Sequence, residues 1–309
     1  MNMLETQNAV QGRLSVHALL RKVLEQQGEC IQQCRVGAID QTEPEFTHDL
    51  RVAVRRVRVA LKLLHDIVEC DIDRIRDGLG SIGNVAGVAR DCDVFAERLS
   101  ISLHRLSLAT PASELLVNSM AERRAQAYGA LSNALKSRTY EDVLAQLASL
   151  RDDRSGQEAI VGRKRIRRMG HRVCSKKLAR VLRWQRKNVR KLSDEDLHEL
   201  RRQVKELRYS AEFFADFLAA RSQDCLRVAV VLQDCLGSIH DFVVANAMLW
   251  ELSKSAPNGS VSEGDVSLVV DSLERLWRND ATHARERFFE VWEKSSRRLN
   301  KLRRSIAKG

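Results

Sequence analysis

Apolar residues recur every three or four positions along almost the whole chain, and three prolines are all that interrupt 309 residues. That period predicts helices rather than strands. The first spans about residues 14–38, with Leu19, Leu20, Val23 and Ile31 on its apolar side, and a loop over 39–44 leads into a second helix over 45–64. Another begins near Asp71 and enters the run LGSIGNVAGVARD; further helices are predicted at 91–105, 112–137, 139–150, 158–191, 194–220, 221–236, 240–255, 265–280 and 281–305. The three glycines of that run match neither GxxxxGK[ST] nor GxGxxG, so they predict close helix packing or a helix break rather than a phosphate loop. Pro111 suits a helix start. The segment RDDRSGQ, residues 151–157, reads as a linker, and APNGSVSEGD, residues 256–265, as a polar turn. The fold class is all-α.

The second helix, EFTHDLRVAVRRVRVALKLL, organises the rest, with Thr47 or Asp49 as its expected cap. At 100° per residue, His48, Arg51, Arg55, Arg58 and Lys62 share a wedge of roughly 80° over about 21 Å. Leu50, Val54, Val57, Leu61 and Leu64 flank it on one side, and Val52, Val59 and Leu63 on the other. A solvated charged face is normally bounded by polar residues. Apolar residues on both flanks predict that the stripe lines a groove or cavity.

The pattern returns 150 residues later. His198, Arg201, Lys205 and Arg208 in LHELRRQVKELRYSAEFF follow the frame of His48, Arg51, Arg55 and Arg58, with Leu200, Val204 and Leu207 at the apolar positions. Gly87, Asp91, Val94 and Leu99 match Gly237, Asp241, Val244 and Leu249 at the same offset. Two blocks at one spacing indicate an internal duplication. The expected organisation is two helical-bundle repeats, 8–150 and 151–305, facing each other across a basic cavity.

Charge sharpens this picture. The chain carries +11 overall, yet residues 1–150 hold 18 Lys and Arg against 19 Asp and Glu. The excess lies in the second half, where residues 163–191 contain fourteen Lys and Arg and no acid. On one helix, Arg165, Arg168, Arg172, Lys176, Arg183, Lys187 and Arg190 would form a further stripe. Like charges four residues apart destabilise a helix by a few tenths of a kcal/mol per pair, and an anion would relieve them. An asymmetry of this kind points to an anionic partner. No apolar run approaches 18 residues and the N-terminus is polar, which predicts a soluble cytoplasmic chain with no membrane partner. Seven cysteines without a C-x-x-C pair predict reduced, buried thiols.

The motifs H-x-x-R-V-x-x-R-R-x-R, R-D-x-D-V and L-H-x-L-R-x-x-x-K-x-L-R-Y-x-x-E-F resemble the CHAD domain, a family named for conserved histidines on an alpha-helical domain. They are carried here by His48, Arg51, Arg55, Arg56 and Arg58, by Arg90, Asp91 and Asp93, and by His198, Arg201, Lys205, Arg208 and Tyr209. The resemblance implies two pseudo-symmetric bundles, a basic central cavity, binding of inorganic polyphosphate and recruitment to polyphosphate granules. The expected polyphosphate-binding set is His48, Arg51, Arg55, Arg56, Arg58, Lys62, Arg165, Arg168, Arg172, Lys176, His198, Arg201, Arg202, Lys205 and Arg208. No cofactor, metal or catalytic residue is expected. Two positions depart from the family pattern: His240 stands where the second repeat usually has Asn, and Glu212 answers to Lys62. The β-barrel triphosphatase domain of many relatives is not expected here, since Glu43 and Glu45 are followed by Thr47 on a helical chain.

Guanidinium forks match phosphate oxygens and stay charged at cellular pH. Two unit charges about 8 Å apart repel by roughly 2 kcal/mol at an effective dielectric of 20, a cost that a bound polyanion offsets. A nucleic-acid binder would also use basic helices, but single-strand binders add aromatic platforms, and only Tyr209 and Trp184 lie near these stripes. A metal-dependent phosphohydrolase is the third reading; His48-Asp49 and His240-Asp241 resemble metal dipeptides without HExxH spacing.

Overall fold

The computed structural model describes residues 16–65, 72–152, 163–218, 220–255 and 261–306, and among them every regular element is a helix. In chain order these are α1 (Val16–Asp40), α2 (Pro44–Leu64), α3 (Ile72–Arg105), α4 (Pro111–Leu135), α5 (Arg138–Asp152), α6 (Arg163–Leu182), α7 (Asp194–Phe213), α8 (Ala220–Ser255) and α9 (Glu263–Ile306). Short 3₁₀ turns occupy Arg183–Arg186, Val189–Lys191 and Ala215–Phe217. The chain divides into two compact units. Met1–Gly162 with Leu252–Val269 form the first, and Arg163–Glu251 with Val270–Gly309 the second.

In the first unit, α2 turns Leu50, Val54, Val57, Leu61 and Leu64 into the core, as its period predicts. Each such side chain contributes about 1.5–3 kcal/mol on burial. Neither Thr47 nor Asp49 caps α2. The N-cap is Glu43, which makes no side-chain capping bond, and Pro44 opens the first turn. Thr47 is fully buried and donates its hydroxyl to Tyr128 Oη at 3.2 Å instead.

The glycine run does not break its helix, and α3 continues unbroken from Ile72 to Arg105. The glycines serve close packing. A Cβ on Gly83 would stand 3.2 Å from Val54 Cγ1, and one on Gly80 3.3 Å from Arg58 Nη2. Helical glycine costs about 1 kcal/mol relative to alanine, which the closer approach of α2 offsets here. At α4 the predicted start is observed. Pro111 fills the first turn, and Thr110 and Ser113 form a reciprocal capping box.

In the second unit, Leu200, Val204 and Leu207 of α7 pack with Leu178 and Val181 of α6, Ala229 and Leu232 of α8, and Phe288 and Trp292 of α9. The long basic helix predicted over 158–191 ends at Leu182, and its residues 158–162 lie outside the described set. Two 3₁₀ turns follow because Trp184 and Leu192 are drawn into the core, and Asn188 caps the second turn by accepting from Arg190 N at 3.1 Å. Arg183, Lys187 and Arg190 therefore do not continue the α6 stripe. Ser193 caps α7 by accepting from Asp196 N, and α7 ends at Phe213 rather than 220, where Phe214 turns inward.

The breaks expected near 237–239 and at 280 are also absent, so α8 and α9 are single helices of 36 and 44 residues. By length and composition alone, Gln223–Lys254 of α8 would suffice to cross a membrane, although charges interrupt it. Its Cys225, Ala229, Leu232, Leu236 and Ile239 belong to the core of the second unit. The linker residues 153–157 and the turn residues 256–260 lie outside the described residues.

Candidate anion-binding site

On α2 the predicted stripe is presented as a graded surface. His48, Arg58 and Lys62 are exposed, while Arg51 and Arg55 are half-buried. On the far flank Val52, Val59 and Leu63 are half-buried, while the apolar residues of the near flank are buried in the core. Arg51 is the fixed member. Its Nη1 donates to the Gly87 carbonyl at 3.1 Å and to Asp91 Oδ1 at 3.2 Å, both on α3. This leaves the rest of its fork available to an anion. Among the described residues, none hydrogen-bonds or ion-pairs with Arg58 or Lys62. Arg56 lies about 80° round the helix from His48, beyond Val52, Val59 and Leu63, and is exposed there.

Behind the stripe sits an anchor that spacing gave no means of finding. Asp93 is buried on α3 and accepts from Arg124 Nε and from Tyr128 Oη, each at 2.7 Å. Through Tyr128 and Thr47 the network reaches the first turns of α2. Burial and the neighbouring Asp93 push the Tyr128 phenol up, keeping it a neutral donor. The family motif pointed to Asp93; nothing in the sequence pointed to Arg124 or Tyr128 as its partners.

In the second unit α7 carries its stripe differently. Arg201, Lys205 and Arg208 are half-buried and His198 is exposed. The buried Nε of Arg208 has no hydrogen-bond partner among the described residues, and the guanidinium centre lies 5.8 Å from the Tyr209 ring. Arg202 stands apart from the other predicted ligands. Its guanidinium forks onto Glu199 at 2.7 Å and reaches Glu206 at 3.3 Å. The Arg202 bonds, followed by Gln203, pull the Glu199 carboxyl down to about 2. Lys177 and Arg180 of α6 also meet Glu206, at 3.2 and 3.1 Å, so this carboxylate ties α6 to α7.

Arg165, Arg168, Arg172 and Lys176 occupy exposed positions of α6, and no described residue supplies them with an acid. The imidazole of His198 lies against that of His240 on α8. Their Nδ1 atoms are 3.4 Å apart and their ring centroids 5.1 Å apart. Burial and the cations Arg201 and Lys205, with His198, lower His240 to about 4, so it is neutral at physiological pH.

The described cysteines play no part in these stripes. Cys34, Cys92, Cys174, Cys225 and Cys235 are buried, and burial raises their thiols, Cys34, Cys174 and Cys225 to about 12. The described residues contain no group of three His, Cys, Asp or Glu placed to hold a metal ion.

The chain is all-helical among its described residues, with stripes of arginine and lysine along separate helices. The CHAD domain family model matches residues 22–250, and the chain belongs to the CHAD domain family. Its fold is similar to the CHAD domain from the plant Ricinus communis (23% identity, TM-score 0.61), covering 96% of this chain and 93% of that one. It is also similar to PptA from Streptomyces chartreusis (16% identity, TM-score 0.66), covering 90% of this chain and 99% of that one. No curated protein matches it.

Proposed function

We propose that this protein binds inorganic polyphosphate through its Arg/Lys/His stripes, does not hydrolyse it, and associates with polyphosphate granules in the cytoplasm. The observation that carries the reading is a set of aligned cations to which the described residues supply no acid: Arg58 and Lys62 on α2, and Arg165, Arg168, Arg172 and Lys176 on α6. A linear polymer with one charge per repeat suits such rows better than a compact anion does. Membership of the CHAD family supports the same ligand.

A nucleic-acid strand would satisfy the charges equally, but its bases would need stacking surfaces. Trp184 is buried with its Nε1 donated to Gln203, and Tyr209 is half-buried, so neither offers an open platform. Titration with long-chain polyphosphate and with single-stranded DNA of matched charge tests the choice. Polyphosphate should bind the tighter of the two at every salt concentration. With about eight phosphates engaged, log K should fall against log salt with a slope of about −5 or −6. Incubation with Mg²⁺ or Mn²⁺ should leave polymer length unchanged on a gel; shortening abolished by a stripe substitution would make the protein a hydrolase.

A further inference from the structure

The second unit places two imidazoles where the first has a histidine and an arginine. His198 answers to His48, and His240 to Arg90, at the same 150-residue offset. The ring nitrogens face each other across 3.4 Å, close enough that one proton on either Nδ1 is shared with the other nitrogen as acceptor. Two protonated rings at that distance would repel, so a charge on one ring opposes a charge on the other. The charged groups acting on His240 are Arg201 and Lys205 on α7, together with His198; Asp241 follows it on α8.

We propose that the His198–His240 pair is a proton-accepting element of the second unit's anion site, so that binding of a phosphate chain there takes up one proton. The inference rests on the function proposed above. Before binding, partial burial and the positive field of Arg201 and Lys205 oppose a charge on His240, holding it down at about 4. A phosphate chain laid along Arg201 and Lys205 cancels that field and places acceptor oxygens beside the rings. The bound state then favours the imidazolium, and by reciprocity acid strengthens binding. If the ligand returns His240 to its ordinary value near 6.5, affinity rises about tenfold between about pH 7.5 and pH 5.5. The first unit, whose His48 is exposed and whose corresponding cation is Arg90, has no such pair.

The experiment is calorimetric titration of the full chain with long-chain polyphosphate near those two pH values, in buffers of different ionisation enthalpy. Wild type should take up close to one proton more per bound site at the lower pH than the H240N variant. Its ratio of affinities between the two conditions should also exceed that of H240N by about tenfold. Imidazole NMR signals of the wild-type protein give a reading independent of any variant. One histidine should remain neutral through pH 5.5 in the free protein and become protonated at that pH when polyphosphate is added. Equal proton uptake in the two proteins, or a histidine spectrum unmoved by ligand, would overturn the coupling while leaving polyphosphate binding intact. Absence of polyphosphate binding at either pH would overturn the functional reading and this inference with it.

Discussion

The two basic helices, α2 and α7, place cations at the same spacing and prepare them by different chemistry. On α2, Arg51 is held by a carboxylate and a backbone carbonyl of α3, and the glycines at 80, 83 and 87 let the two helices approach closely. On α7 the corresponding Arg201 lies near a pair of imidazoles, and positions 80 and 83 are answered by Val230 and Gln233. A Cβ on Gly237 meets nothing within 4 Å, so this glycine does not serve the contact that Gly87 serves. Buried Asp93 also has no counterpart, since Val243 occupies the equivalent position and is exposed. Identical spacing of the basic residues is therefore compatible with different supports behind them. The charge pattern recurs at fixed spacing, and the residues behind it need only hold it in place.

The largest expected effect tests the anchor. Asp93→Ala removes the acceptor of Arg124 and Tyr128 and should destabilise the protein by about 2–3 kcal/mol in urea unfolding, while Val243→Ala should stay within about 0.5 kcal/mol. Equal effects would show that the halves are supported alike. Next in size is binding. Arg51→Ala with Arg55→Ala, and Arg201→Ala with Lys205→Ala, should each weaken polyphosphate binding by about ten- to a hundredfold with helical content unchanged. A silent pair would assign the site to one half.

Smaller again is the glycine comparison. Gly83→Ala presses on Val54 and should cost about 1 kcal/mol, whereas Gly237→Ala should stabilise α8 by about 0.5–1 kcal/mol, read as shifts in the unfolding midpoint. The comparison extends to the pH dependence of the ligand-free fold. Unfolded His240 accepts a proton near pH 6.5, but the folded residue resists it down to about 4. The unfolded state then binds more protons, so stability should fall as pH drops from about 6.5 to 4. His240→Asn should flatten that decline in acid titrations followed by circular dichroism.

The stripes were legible because a charged stripe is a helical-period pattern, and period survives in one dimension. The face of α2 follows from Leu50, Val54, Val57, Leu61 and Leu64, and its cations follow from the same count. Helix ends were less legible. The period alone carries the α6 stripe through Arg190, but Trp184 and Leu192 are held by the core and end the helix at Leu182. The glycine run of α3 suggested a break equally with a packing face, and only the position of α2 against it decides for packing. Thr47 read as a cap because it lies near a helix start; its partner is a tyrosine 81 residues away.

The sequence by itself determined the all-helical class, the family, the composition of the stripes and the faces that carry them. These depend on interactions between residues three or four apart, or on residue identity at fixed spacing. Tertiary structure alone decided that Asp93 anchors Arg124 and Tyr128, that Glu206 gathers Lys177, Arg180 and Arg202, and that His198 meets His240. Each of those groupings depends on how helices pack. A polar side chain pairs with whatever packing brings within about 3 Å, and no local period records that distance.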